Sequence, residues 1–156
     1  MSFNVFLGEN AVEIYNNDVD LLIEDTAFVT TTSPFYPTES CYCHIIRVTN
    51  LLNNRSAIFT FYGSVLEYQQ GIKKYCGKDL LDTFLVILDN VSLLIEHPCL
   101  GSFITECTES LAMTLSESFM FYHYVQCDYS KLHFIGLDDE TIVNLCEFLR
   151  GYLNEE

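Results

Sequence analysis

The hydrophobic periodicity of this 156-residue chain changes character near residue 64, and no other feature constrains the fold as strongly. Before that point, short runs rich in β-branched and aromatic residues ("FNVFL", "AVEIY", "VDLLIE", "CYCHIIRV", "SAIFTFY") are separated by turn signals such as "GEN" and "NND". Runs of this length and composition, punctuated in this way, predict strands. Between the last two lies "TNLLNN", where Asn53 and Asn54 can accept the positive φ of a tight turn. Cys43–Val48 and Ser56–Tyr62 are therefore expected to pair antiparallel. The stretch "TTTSPFYPTES" sets two prolines among hydroxyl residues and reads as an exposed loop.

After Gly63 the pattern turns helical. Ser64 and Glu67 have the spacing of a capping box, and Gly71 is placed to end a helix of about two turns. The stretch "KDLLDTFLVILDNVSLLIEH" carries the strongest helical signal, with Asp79 as N-cap and Pro98 beyond its end. Leu81, Phe84, Leu85, Leu88, Val91 and Ile95 form its apolar face, while Asp82, Asp89 and Glu96 recur every seven residues as a solvent-facing stripe. Further helices are expected at Ser102–Met113, Ser118–Cys127 and Asp138–Leu153. The last has Asp138, Asp139 and Glu140 at its positive end and turns Ile142, Leu145, Cys146, Leu149 and Leu153 inward. With no repeat or linker visible, these readings give one α+β domain over residues 1–156. An N-terminal antiparallel β-sheet (1–63) is followed by a C-terminal layer of about four helices (64–156).

Charge departs furthest from the average. The chain carries 22 Asp and Glu against 7 Lys and Arg, for a formal net charge of −15. The signs are segregated. Residues 1–46 hold seven acids and no base, and residues 47–78 hold five bases and one acid. Residues 79–130 hold eight acids and no base. A field of this sign draws in cationic partners and repels phosphate. Direct nucleic-acid binding would need a basic patch, which only Arg47, Arg55, Lys73, Lys74 and Lys78 could supply, and it is not expected. Acidity that serves solubility alone is the competing reading. The seven cysteines show no paired framework and read as reduced thiols. With no signal-like N-terminus and no apolar run long enough for a membrane span, the expected location is the cytoplasm.

Candidate chemistry is sparse. Cys41, Cys43 and His44 crowd together in "CYCH", but on a strand the cysteines point to one face and the histidine to the other. The C-x-x-C spacing of a zinc site is missing, so core packing is the expectation, with a metal site or redox thiols as the alternatives. His123 and Cys127 would share a helix face, and His97 and Cys99 would share a helix-ending turn. Both read more simply as packing. The chain has no P-loop, G-x-G-x-x-G, G-x-S-x-G or H-E-x-x-H motif, and no cofactor or metal is implied.

The segment "FTFYGSVLEYQQGI", residues 59–72, resembles small acidic proteins encoded by bacteriophages and prophages, in which an aromatic strand ends at Tyr-Gly-Ser and a short helix ends at Gly-Ile. The resemblance carries no settled activity. It implies a phage setting, in which small acidic proteins block host defence enzymes. Together with the charge pattern it leads to the expectation of a non-enzymatic acidic binding protein. The carboxylates of Glu9, Glu13, Asp18, Asp20, Glu24 and Asp25 would occupy a basic surface on a host nuclease or CRISPR effector, as an anti-CRISPR would. On an extended strand Asp18 and Asp20 would lie roughly 6.7 Å apart on one face, a spacing comparable to that of successive phosphates. An immunity protein neutralising a cognate basic toxin nuclease is a second reading, and a small thiol enzyme using Cys99 or Cys127 a third.

Overall fold

The computed structural model describes residues 2–31, 40–64, 74–96, 103–106, 122–127 and 129–154. Its strands are β1 (Asn4–Leu7), β2 (Ala11–Tyr15), β3 (Asp20–Thr30), β4 (Cys41–Asn50), β5 (Arg55–Ser64), β6 (Phe103–Glu106) and β7 (Tyr122–Cys127). They form one sheet in the order β1-β2-β3-β4-β5-β7-β6, with every neighbouring pair antiparallel. The helices among the described residues are α1 (Gly77–Glu96), α2 (Tyr129–Phe134) and α3 (Asp139–Asn154). The chain is an α+β protein whose N-terminal antiparallel meander is followed by helices.

Turn chemistry sets the register of the meander. Gly8 N–H donates to Ala11 O at 2.9 Å, and a Cβ on Gly8 would sit 2.8 Å from that same oxygen, so only glycine closes the first hairpin. Asn16 Oδ1 accepts from the N–H groups of Asp18 and Val19 at 2.8 and 2.9 Å, an Asx turn that launches β3. Asn54 takes φ +59° in the expected β4–β5 turn, and Cys43 pairs with Tyr62 and Val48 with Ala57 on either side of the ladder it starts.

Strand alternation then separates the two faces. Val12, Ile14, Leu21, Ile23, Ile46, Val48, Ala57, Phe59 and Phe61 are buried with α1 and α3 in one core. From α1, Leu80, Leu81, Phe84, Ile87, Leu88 and Val91 have no exposed surface. At about 1.5–3 kcal/mol per fully buried large apolar side chain, this packing, rather than helix propensity, is what holds α1 in place. On α3, Ile142, Leu145, Cys146 and Leu149 face inward as expected. Its N-cap is Asp138, whose Oδ1 accepts the Thr141 N–H at 2.8 Å and whose carboxyl is lowered from its usual value first by the Thr141 side-chain hydroxyl and then by that bond.

Several expectations are corrected. Residues 122–127 form a strand, not the end of a helix, because the β5 edge at Phe61–Gly63 offers unpaired backbone groups that β7 satisfies. Phe103–Glu106 is likewise a strand paired to β7, where a helix was expected from Ser102 to Met113. Helix α1 starts at Gly77, with Cys76 O accepting from the N–H groups of Asp79 and Leu80, so Asp79 lies in the first turn and is not the cap. The acidic stripe of α1 does not face solvent alone, since Asp89 pairs with Arg150 of α3. The short helix expected after Ser64 lies outside the described residues, as does the loop "TTTSPFYPTES" apart from Thr30, which ends β3, and Thr31 and Ser40.

Helix α2 lies against the first residues of β5, short of the stretch from Phe61 to Gly63 that pairs with β7. Lys131 Nζ donates to Ile58 O at 2.8 Å, and Arg55 donates to Phe134 O at 3.1 Å while its guanidinium covers the Phe134 ring. Just beyond α2, Ile135 O accepts from the side-chain amides of Asn50 and Asn53 at 2.7 and 3.0 Å, which ties the β4–β5 turn to the start of α3.

Candidate partner-binding face

Along β2 and β3 the residues opposite in parity to the core set include Glu13, Tyr15, Asp20, Leu22 and Glu24. The register pairs Glu13 with Leu22 and Tyr15 with Asp20, so all five project from the face of the sheet away from α1 and α3. Phe6 of β1 stands directly beside Glu13 in the same row. Glu9 is exposed in the β1–β2 turn and Asp18 in the β2–β3 turn, at opposite ends of the meander. The structure thus brings Glu13, Asp20 and Glu24 onto one surface, bounded at its two ends by Glu9 and Asp18.

The carboxylates are not equivalent. Glu13 is raised above the ordinary carboxyl range, first by its hydrogen bond to Asp20, then by burial and by the Asp20 charge. Glu13 therefore holds its proton more tightly than an isolated carboxyl would. Glu24 sits directly across from Arg47 of β4, a cross-strand pair worth about 0.2–1 kcal/mol. Asp18 lies in the turn and Asp20 begins β3, so the expected run of both acids along one extended strand does not form. Among the described residues the cations do not gather into a patch either. Arg47 is exposed on the same sheet face as the carboxylates, Arg55 is engaged with Phe134, and Lys74 and Lys78 flank the start of α1, while Lys73 lies outside the described residues.

Asp25 does not belong to this surface. It is 2% exposed, on the core side of β3 in step with Leu21 and Ile23. Its Oδ2 lies 2.7 Å from His44 Nδ1 and accepts the Tyr75 N–H at 2.6 Å. The alternation Leu21-Ile23-Asp25, matched in β4 by His44-Ile46-Val48, is the signal that could have found this pair, since equal parity places all six on one face.

Three of the four described thiols are buried. Cys41 and Cys43 are buried on the face opposite His44. Burial, then the neighbouring Cys41 and Asp25, push the Cys43 thiol up to about 12, and burial next to Asp89 does the same to Cys146. A nucleophilic cysteine needs the opposite shift. Cys99 and the side chains of His123 and Cys127 lie outside the described residues. Among the described residues no three His, Cys, Asp or Glu side chains converge as a metal site, and no helix is long and apolar enough to cross a membrane. Comparison with protein-family models, with curated proteins and with solved structures gives no match to this chain.

Proposed function

We propose that this protein is a non-enzymatic acidic binding protein that occupies a basic, nucleic-acid-handling surface on its partner. In the phage setting that the resemblance of residues 59–72 implies, the partner is a host nuclease or CRISPR effector. One observation carries the reading: Glu13, Asp20 and Glu24 project from one face of the β1–β2–β3 meander, with Glu9 and Asp18 at its ends and Arg47 the cation in register with that face. A net charge of −15 makes association with a cationic groove fast and salt-sensitive, and makes nucleic acid a competitor for the partner, not a ligand of this chain.

The test is capture from bacterial lysate at low and high ionic strength, using the wild-type chain and a variant carrying Glu13→Lys and Glu24→Lys. Retained proteins should be basic nucleic-acid-handling enzymes, released by salt and by added duplex DNA, and lost with the double reversal. Capture that ignores salt, DNA and the reversal overturns the proposal.

A further inference from the structure

The acidic-face reading leaves open which part of a partner is recognised, and the edge of the sheet narrows it. β1 is a terminal strand, and three of its four residues are exposed. Phe6 is 63% and Leu7 37% exposed. Natural sheets blunt such edges with charge or proline, yet "NVFL" contains neither. The Gly8–Ala11 hydrogen bond fixes which backbone groups are free. In an antiparallel ladder inward-bonded residues alternate with outward-facing ones, so Asn4 and Phe6 bond towards β2, while the N–H and C=O of Val5 and Leu7 point away from the sheet.

Side chains beside that edge define what would fit. On the carboxylate face a cleft of about 290 Å³ is lined by Phe6, Glu9, Ala11, Glu13 and Leu22. Its apolar walls suit the methylene stem of an arginine or lysine, its carboxylates suit the charged head, and the Phe6 ring adds a cation–π surface. On the other face Val5 packs against the core and Leu7 extends it, which suits an apolar neighbour.

Resting on the proposed function above, we propose that an extended segment of the basic partner adds to β1 as a further strand, with cationic residues over Phe6 and Glu13 alternating with apolar residues beside Val5 and Leu7. Main-chain bonds supply affinity and the alternation supplies specificity. A second copy of this chain is a poor occupant, because it would set two chains of charge −15 against each other with Glu9 and Glu13 beside the joint.

The experiment uses the full chain and two eight-residue peptides of identical composition, one strictly alternating arginine and valine, the other with the arginines in one block and the valines in another. The alternating peptide is expected to bind about tenfold more tightly and to slow amide hydrogen exchange at Val5 and Leu7 by about tenfold or more. Methylation of its alternate backbone nitrogens should abolish both effects while the charge is kept. Equal binding of the two peptides, lost with Glu13→Lys but without protection at Val5 and Leu7, overturns strand addition and leaves the acidic face standing. Binding of neither peptide at low salt overturns both. Protection of the same two amides by self-association, seen in sedimentation without peptide, makes a second copy the occupant and overturns the proposal.

Discussion

Asp25 Oδ2 and His44 Nδ1 lie 2.7 Å apart with both side chains wholly enclosed, a buried pair in the middle of a sheet whose outer face is rich in acids. The Tyr75 ring stacks on the imidazole at 3.8 Å between centroids and 2° between planes, and the Tyr75 N–H bonds the same carboxylate oxygen. One oxygen thereby joins β3, β4 and the segment entering α1. An acid counted from sequence as part of the outward charge thus ties the helical layer to the sheet.

Removing Asp25 should unfold the protein far more readily than removing a surface acid. Asp25→Ala leaves the His44 ring nitrogen and the Tyr75 N–H without their shared acceptor, and breaking one side of a buried pair costs about 3–5 kcal/mol. Asp25→Asn should fall between that variant and wild type, since its carbonyl oxygen can still accept both bonds but without the carboxylate's charge. Urea denaturation measures this. A loss below about 1 kcal/mol for the alanine variant would show that the pair contributes little to the fold. Partner capture per folded molecule should be unchanged, because Asp25 is not on the binding face.

Glu13→Gln should separate stability from binding. The folded-state pKa of Glu13 is raised, chiefly by its bond to Asp20, so the folded chain holds this proton more tightly than the unfolded chain does. That contribution is fully present below the unfolded pKa and is lost as pH rises through the folded one, where two carboxylates are left facing each other. The glutamine variant should therefore be more stable than wild type near pH 7. The difference should vanish as pH falls into the ordinary carboxyl range, about 4. Weaker partner capture by this more stable variant would assign the loss to charge and not to folding. An advantage that persists unchanged at low pH would mean that Glu13 is not raised in the folded chain.

The strands of the first half were legible because their side chains alternate and their turns carry Gly8, Asn16, Asn53 and Asn54. Helix α3 was legible for the same kind of local reason, with acids from Asp138 to Glu140 at its positive end and an inward stripe from Ile142 to Leu149. What failed was non-local. The three-to-four spacing of aromatics in residues 118–127 favours a helix, but nothing nearby in sequence announces that β5 leaves an edge to be filled. Asp89 looks like a solvated acid until Arg150, 61 residues later, is brought beside it. On the candidate face, Glu13 was legible as an acid. Its neighbours Phe6 and Asp20 became visible only with the register.

Gly136→Ala should cost about 1–3 kcal/mol through backbone strain at a non-glycine positive φ. Gly136 has φ +94°, and a Cβ there would lie 3.1 Å from Asn53 Nδ2, the group that donates to Ile135 O. The substitution strains the backbone and crowds the amide that joins the β4–β5 turn to the start of α3. Thermal unfolding of the variant against wild type tests this. By contrast, Gly151→Ala meets nothing within 4 Å on α3 and should be neutral or slightly stabilising, as helix propensity dictates. Equal midpoints for the two variants would refute the assignment of Gly136 as a required glycine.

Native-state alkylation should follow burial and thiol acidity. Cys76 is exposed, whereas Cys41, Cys43 and Cys146 are buried. A thiol at about 12, as for Cys43 and Cys146, carries roughly one thiolate in ten thousand molecules at pH 8, and the thiolate is the reacting species. Iodoacetamide at pH 8, followed by peptide mapping, should label Cys76 well before the other three, and unfolding in urea should bring them level. Partner capture should survive labelling of Cys76, since Cys76 lies at the entrance of α1 and not on the acidic face. Labelling of Cys43 or Cys146 as fast as Cys76 in the folded state would contradict their burial. Loss of capture on Cys76 labelling would move the binding surface from the β1–β3 meander to the entrance of α1.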